Sequence, residues 1–243
     1  MKRKNILFIT AMHGDEPIGI EIVKQIKKMK LGNKFSSIIG NPRALKKQVR
    51  FIDADLNRVF PGKTDGNYEE KRANLVMEKM REFDRVIDLH GTVSKTGIFI
   101  IITKPSLKNL ELALRFNIER ILIWPSSKKS KGPAVSFMRS GMGIEIESGN
   151  KSNPAVKKRL KSILIDFLEN PEKTIDIDEE MKKREFFSVV GKIKKRKGDG
   201  RRFKDWKKAG SFYSLFVGQY PDIACYKLKS INGTKVLNLA KRL

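Results

Sequence analysis

Two histidines are the only ones in the chain, and each stands beside an acidic residue at the end of an apolar run. His13 opens His-Gly-Asp-Glu and His90 closes Asp-Leu-His. Neutral imidazole is the commonest metal ligand, and zinc accepts two such nitrogens plus a carboxylate while keeping a fourth position for water. Glu16, three residues past His13, reaches the same ion if the segment makes one turn. His13, Glu16 and His90 are therefore a candidate metal set, and the chemistry they would support is hydrolysis by a metal-activated water. A lone histidine is more often a polar loop residue. Two at the same edge of one sheet, one of them in a His-x-x-Glu frame, point to a ligand pair. Asp88, two residues before His90 on the same strand face, is placed to orient an imidazole or to bind a nearby arginine.

Such a site also needs a general base. In Gly143-Ile144-Glu145-Ile146-Glu147-Ser148-Gly149, a period of two puts Ile144 and Ile146 on one face and both glutamates on the other. A strand buried on both sides does not carry two carboxylates without a use for them. Glu147 lies nearer the carboxyl end of the strand and is the preferred base. Glu145 stays open, because a slip of two residues preserves the face. The bland alternative is an exposed edge on which both pair with lysines.

The elements that must position these residues alternate. Strands are expected at Asn5–Thr10, Phe35–Ile39, Asp84–Leu89, Gly97–Thr103, Arg120–Trp124 and Gly143–Glu147, and helices at Ile18–Lys30, Tyr68–Phe83 and Ser152–Asn170, the last capped at Ser152. This pattern predicts an α/β fold with a mixed, mostly parallel central sheet and helices on both faces. Ligands bind beyond the carboxyl ends of strands in such sheets, where both histidines fall. Three parts are expected: a catalytic domain over 1–172, an acidic linker over 173–184, and a small β domain over 185–243. The β pieces of that last part are Phe186–Ile193, Ser211–Phe216, Ile223–Lys229 and Lys235–Leu239.

Composition narrows the classes. The only cysteine is Cys225, which excludes an internal disulfide. The apolar run after Lys2, Arg3 and Lys4 is too short for a secretory signal, and no stretch approaches the ~20 residues of a membrane span. A cytoplasmic, non-membrane protein is expected. Lys and Arg number 52 against 27 acidic residues, a formal charge of +25 that attracts anions. The basic run Lys192–Lys208 contains Phe203 and Trp206 and could bind nucleic acid, but Gly198-Asp199-Gly200 splits it into what reads as a solvated hairpin.

The ordered motifs His13-Gly14-Asp15-Glu16, Asn41-Pro42-Arg43-Ala44, Arg50 through Phe60 with its Asp55-Leu56-Asn57-Arg58 core, and Asp88-Leu89-His90 resemble the succinylglutamate desuccinylase/aspartoacylase family of the zinc carboxypeptidase superfamily. The resemblance runs from 13 to about 149 and implies one zinc per chain on His13, Glu16 and His90. It implies Arg50 at the scissile carbonyl, Asn57 and Arg58 on a substrate carboxylate, and Glu147 as catalytic glutamate. A guanidinium pairs two parallel hydrogen bonds with a carboxylate, which suits those roles. Asp53 and Asp55 are expected to orient the arginines. The family's C-terminal domain can lend a tyrosine to the channel, and Tyr226 is the choice among Tyr213, Tyr220 and Tyr226. The expected function is zinc-dependent cleavage of an amide next to a carboxylate, in a small anionic N-acyl amino acid. The alternatives are a metallocarboxypeptidase acting on peptides, and a nucleic-acid-binding protein with a vestigial metal site. Arg115, Arg120 and Arg139 are the candidates for reading a further carboxylate on the acyl side.

Overall fold

Strand β1 (Lys4–Thr10) sets the layering of the molecule, because its side chains alternate between two apolar layers. Ile6 and Phe8 face one layer, and Leu7 and Ile9 the other. The computed structural model describes residues 4–124, 143–196 and 202–243. Among these, the other strands are β2 (Ser36–Ile39), β3 (Phe83–Thr92), β4 (Phe99–Ile102), β5 (Arg120–Ile123), β6 (Gly143–Asn150), β7 (Glu185–Lys194), β8 (Lys208–Ala209), β9 (Phe212–Leu215) and β10 (Ile223–Ser230). They form one 10-stranded sheet in the order β2-β1-β3-β6-β4-β5-β7-β10-β9-β8. Strands β2, β1, β3 and β6 run parallel. Strand β4 runs antiparallel to β6, while β5 is parallel to both β4 and β7. The last three strands pair antiparallel. The sheet is thus mixed and mostly parallel, as the alternating pattern predicts.

One face of the sheet is apolar throughout. Ile87, Leu89, Ile144, Ile146, Ile100 and Ile121 lie there beneath helices α1 (Ile18–Lys27), α5 (Leu107–Leu114) and α6 (Pro154–Glu169). Each such side chain, fully buried, contributes about 1.5–3 kcal/mol. The opposite face is interrupted. Leu7, Ile9 and Val86 pack at one side with Ala73, Val76 and Met80 of α4 (Tyr68–Met80). Phe99, Ile101, Trp124, Phe187, Phe216 and Tyr226 pack at the other. Between these clusters, the central pair β3–β6 carries buried Asp88, His90, Glu145 and Glu147. Helices cover both faces, and among the described residues this strip holds the buried charged side chains of the strands.

Several elements differ from expectation, with local causes. Helix α6 is capped by Asn153, whose side chain accepts from Ala155 N, with Pro154 as the first helical residue. Ser152 stands one residue too early to reach that donor. The acidic stretch expected as a linker holds a short helix, α7 (Ile177–Lys182). Asp176 caps it, three acidic residues fill its first turn where the helix dipole favours them, and Met181 is buried in the main core. Lys235–Leu239, expected as a β piece, lies inside α8 (Gly233–Ala240). Asn232 caps that helix through Thr234 N, and Val236 and Ala240, four apart, form its buried stripe. The strands after 184 continue the central sheet through the β5–β7 pair and do not close a sheet of their own. The turn Gly198-Asp199-Gly200 lies outside the described residues.

Candidate metal centre and its pocket

His13 reaches its position through a tight exit from β1. Ala11 adopts φ 49°, a left-handed conformation uncommon for a residue with a Cβ. The following turn passes so close to the helix α2 (Pro42–Lys47) that a Cβ on Gly14 would lie 2.1 Å from the Ala44 carbonyl carbon. Only glycine fits at position 14, directly after the histidine. His90 comes from β3, where the register sets it directly opposite Glu147 of β6, with Asp88 opposite Glu145 one layer deeper. Strand β4 brings Phe99 and Ile101 beside the two glutamates.

These residues converge. His13 Nδ1 lies 3.0 Å from Glu16 Oε1, and His90 Nδ1 lies 3.0 Å from Glu16 Oε2. Ligand atoms of His13, Glu16 and His90 all lie within 4.8 Å of one another, and all three residues are buried. The other ring nitrogens are taken up by carboxylates: His13 Nε2 is 3.2 Å from Asp55 Oδ1, and His90 Nε2 is 2.8 Å from Asp88 Oδ2. Each imidazole thus lies between two carboxylates, with Nδ1 toward Glu16 and Nε2 toward Asp55 or Asp88. Buried His13 Nδ1 has no hydrogen-bond partner of proper geometry. A carboxylate behind each Nε2 would hold its proton and leave Nδ1 to bind a metal beside Glu16, so two imidazole nitrogens and a carboxylate fit a zinc ion. Asp88, His90 and Glu145 form a second possible grouping, which shares His90 with the first.

The charges are mutually dependent. Burial pushes the His13 and His90 pKa values down, but Glu16 beside His13, and Asp88 and Glu145 beside His90, outweigh it and raise both. Burial would raise Glu16, yet the two imidazoles pull it well below the usual range. Glu147 moves the other way: burial raises it well above the ordinary carboxylate value, His90 opposes this, and Glu145 and Glu16 add to it. Its Oε2 is buried without a hydrogen-bond partner. Glu145 is raised too, first by burial.

The pocket over this group is lined by His13, Glu16, Arg50, Asn57, His90, Glu145 and Glu147, and by Ile101, Trp124, Phe216, Gln219 and Tyr220. Arg50 donates to Glu16 Oε1 at 3.2 Å and to Asp55 Oδ2 at 3.4 Å. Asp55 also caps the short helix α3 (Leu56–Val59) by accepting from Asn57 N. It thereby orients Arg50, with Arg58 3.9 Å away. Asp53 does not share that task; its carboxylate accepts from Tyr68 N at the start of α4. Arg58 stands outside the lining, near enough to Tyr220 and Tyr226 to influence both. The tyrosine on the pocket is Tyr220. Tyr226 packs behind it, 5.9 Å away between ring centroids and 4.8 Å from Trp124.

Sequence reasoning weighed Tyr220 but chose Tyr226, and it missed Gln219, Phe216 and Trp124, because such residues look alike in sequence whether they pack or line a pocket. It also missed Glu69, whose signal was readable: it falls on the helical stripe of Ala73, Val76 and Met80. Of the arginines considered for the acyl side, Arg115 bonds the Pro171 carbonyl and Arg120 pairs with Glu185, neither of them on the pocket. Arg139 lies outside the described residues.

Comparison with known proteins places this site in a context. The model of the succinylglutamate desuccinylase/aspartoacylase catalytic domain matches residues 2–168. A probable aspartoacylase of Prochlorococcus marinus subsp. pastoris is 32% identical over 162 residues, 61% of this chain and 55% of that protein. A second, from another Prochlorococcus marinus strain, is 31% identical over 194 residues, 71% of this chain and 64% of that protein. The chain thus spans little more than half the length of the curated relatives it matches. Among solved structures, murine aminoacylase 3 superimposes with a TM-score of 0.69 at 18% identity, covering 95% of this chain and 97% of that one. The succinylglutamate desuccinylase of Chromobacterium violaceum gives 0.68 at 20%, covering 95% and 86%. These structures share the fold.

Proposed function

Because the chain belongs to the succinylglutamate desuccinylase/aspartoacylase family, we propose that it is a zinc-dependent amidohydrolase that removes the acyl group from a small N-acyl amino acid. The observation that carries this reading is the pair of Nδ1 atoms turned toward Glu16 beneath an unpartnered Glu147 carboxylate oxygen. His13, Glu16 and His90 hold one zinc ion per chain. When bound, zinc supplies a water whose pKa is lowered to about 7 and polarises the substrate carbonyl.

The chain's own groups do the rest. Glu147 takes a proton from the attacking water at its free oxygen, as the C–O bond forms. It then returns that proton to the amide nitrogen as the C–N bond breaks, leaving a carboxylic acid and an amine, and the acid's remaining proton passes to the amine to give a carboxylate and an ammonium group. Burial, which raises its pKa above the ordinary carboxylate value, suits a group that must both accept and release a proton. Arg50, 3.2 Å from Glu16, presents its guanidinium to the negative charge that develops on the carbonyl oxygen. Asn57 and Arg58 hold the substrate carboxylate, with Arg58 reaching in from the margin. The segment from 185 onward walls the channel through Phe216, Gln219 and Tyr220. Tyr220, rather than Tyr226, is the tyrosine in reach of substrate. The single buried cysteine fits a cytoplasmic setting. Among the described residues, no helix is long and apolar enough to cross a membrane.

Metal analysis tests this first, on the parent chain beside His13→Ala and His90→Ala. About one zinc in the parent, lost in both variants, together with amine release from N-acyl amino acids, supports the reading. Cleavage of short peptides but not of acyl amino acids would assign a carboxypeptidase. A parent chain that takes no metal even from added zinc removes the basis of the proposal.

A further inference from the structure

Glu69 is fully buried, in the first turn of α4, on the face that otherwise carries Ala73, Val76 and Met80. A carboxylate is costly at such a position unless donors surround it. Four do. Oε1 accepts from Ile52 N at 2.7 Å and from Asn41 Nδ2 at 3.0 Å. Oε2 accepts from Asp53 N at 2.9 Å and Ala54 N at 3.2 Å. Three of these donors are consecutive peptides of the loop between Arg50 and Asp55. The fourth, Asn41, caps α2 through Ala44 N, on the helix that Gly14 packs against. Asp53 closes the arrangement by accepting from Tyr68 N, the residue before Glu69.

The consequence lies at the two ends of the held segment. Arg50 stands just before it and binds Glu16. Asp55 stands just after it, binds His13 and Arg50, and caps the helix that carries Asn57 and Arg58. We propose that Glu69 is a positioning residue: its buried carboxylate fixes the peptides of Ile52, Asp53 and Ala54 so that Arg50, Asp55 and Asn57 face the His13–Glu16–His90 group. Burial alone would push its pKa up, but the backbone donor of Ile52, the Asn41 amide and the two further peptides outweigh this and keep the carboxylate charged. Glutamine cannot replace it. It has one acceptor oxygen, and its NH2 would meet peptide N–H groups head-on. Aspartate keeps the charge but is one methylene shorter.

The effect on turnover rests on the hydrolase reading above; the effect on the loop does not. The test compares Glu69→Gln and Glu69→Asp with the parent, all as zinc-loaded chains of the same 243 residues. It follows amide hydrogen exchange over residues 50–58 and over β1, β3 and β6, together with zinc content, kcat and KM for an N-acyl amino acid. In Glu69→Gln, exchange over 50–58 is expected to rise about tenfold or more while the strands keep their protection and zinc stays bound. KM is expected to rise by a similar factor, with Glu69→Asp recovering part of both. Unchanged exchange over 50–58 overturns the proposal. So does a rise spread evenly over the strands, or a fall in kcat at constant KM that tracks the unfolded fraction, because either marks a merely structural role. If Glu69→Gln does not fold, the same readings are taken on Glu69→Asp. A parent that binds zinc but hydrolyses no N-acyl amino acid defeats the functional reading alone, and exchange over 50–58 then decides the clamp.

Discussion

Replacing Glu147 by glutamine separates catalysis from stability more sharply than any other single change in the pocket. The side chain is 7% exposed, sits across from His90 on adjacent strands, and its Oε2 has no hydrogen-bond partner. Glutamine matches its shape, so neither the β3–β6 register nor the aromatic wall is disturbed. What disappears is a proton acceptor. General acid–base groups contribute about 10²–10⁴ in rate, or about 2.7–5.5 kcal/mol of transition-state stabilisation at 1.36 kcal/mol per tenfold. The fall should appear in kcat, with KM little changed, because the role proposed for Glu147 is on the reacting proton and not on the substrate carboxylate. Stability should move the other way. Burial raises this carboxyl's pKa in the folded chain, so its ionisation opposes folding. The penalty is absent below the unfolded pKa, grows as pH rises above it, and is complete above the folded pKa. Glu147→Gln is therefore expected to melt no lower than the parent at neutral pH and at the same temperature in acid. The assay is amine release under saturating substrate, with zinc per chain and a melting curve from the same preparation. A variant within fivefold of parental kcat refutes the assignment of the base. So does a variant that loses activity because it has lost zinc. The same measurement on Glu145→Gln, one layer deeper beside Asp88, should give the smaller loss.

Stripping the metal with a chelator is expected to lower the melting temperature: a ligand at 100 times its Kd stabilises by about 2.7 kcal/mol, or roughly 5–11 °C for a chain of this size. His13→Ala and His90→Ala should melt at one temperature with or without added zinc. Gly14→Ala must push the Ala44 backbone away from a 2.1 Å contact and is expected to cost about 1–3 kcal/mol in chemical denaturation; a neutral result would show that the turn can move. The Glu69 carboxyl is held below its ordinary pKa, so its contribution is present above the unfolded value of about 4.3 and is lost as pH falls through the folded one. The stability gap between the parent and Glu69→Gln should accordingly close in acid titration below about pH 4. Tyr220→Phe should raise KM several-fold while Tyr226→Phe stays near parental, since only Tyr220 lines the pocket; the reverse result would restore Tyr226.

The sequence by itself determined which groups are available for chemistry and the alternation of strands and helices. Two histidines and a His-x-x-Glu frame are readable without coordinates, because a metal set is a matter of residue type and short spacing. The period of two in Ile144–Glu147 is likewise local, and it placed both glutamates on one face. Alternating strands and helices carried the mixed, mostly parallel sheet. Tertiary structure decided what depends on register and packing. Within β6 the two glutamates differ only in that Glu147 lies nearer the carboxyl end; pairing with β3 sets Glu147 against His90 and Glu145 against Asp88. Asp53 and Asp55 are two residues apart and chemically alike, yet one binds the start of α4 and the other His13 and Arg50. Tyr220 and Tyr226 differ only in which one reaches the pocket, a matter of how the strands after 184 join the central sheet through β5 and β7. Those strands read in sequence as a small β domain bordering the channel, and their pairing into the central sheet is a long-range contact that a composition change does not reveal. Local spacing fixes which groups exist and on which face they lie, and long-range pairing fixes which of them meet.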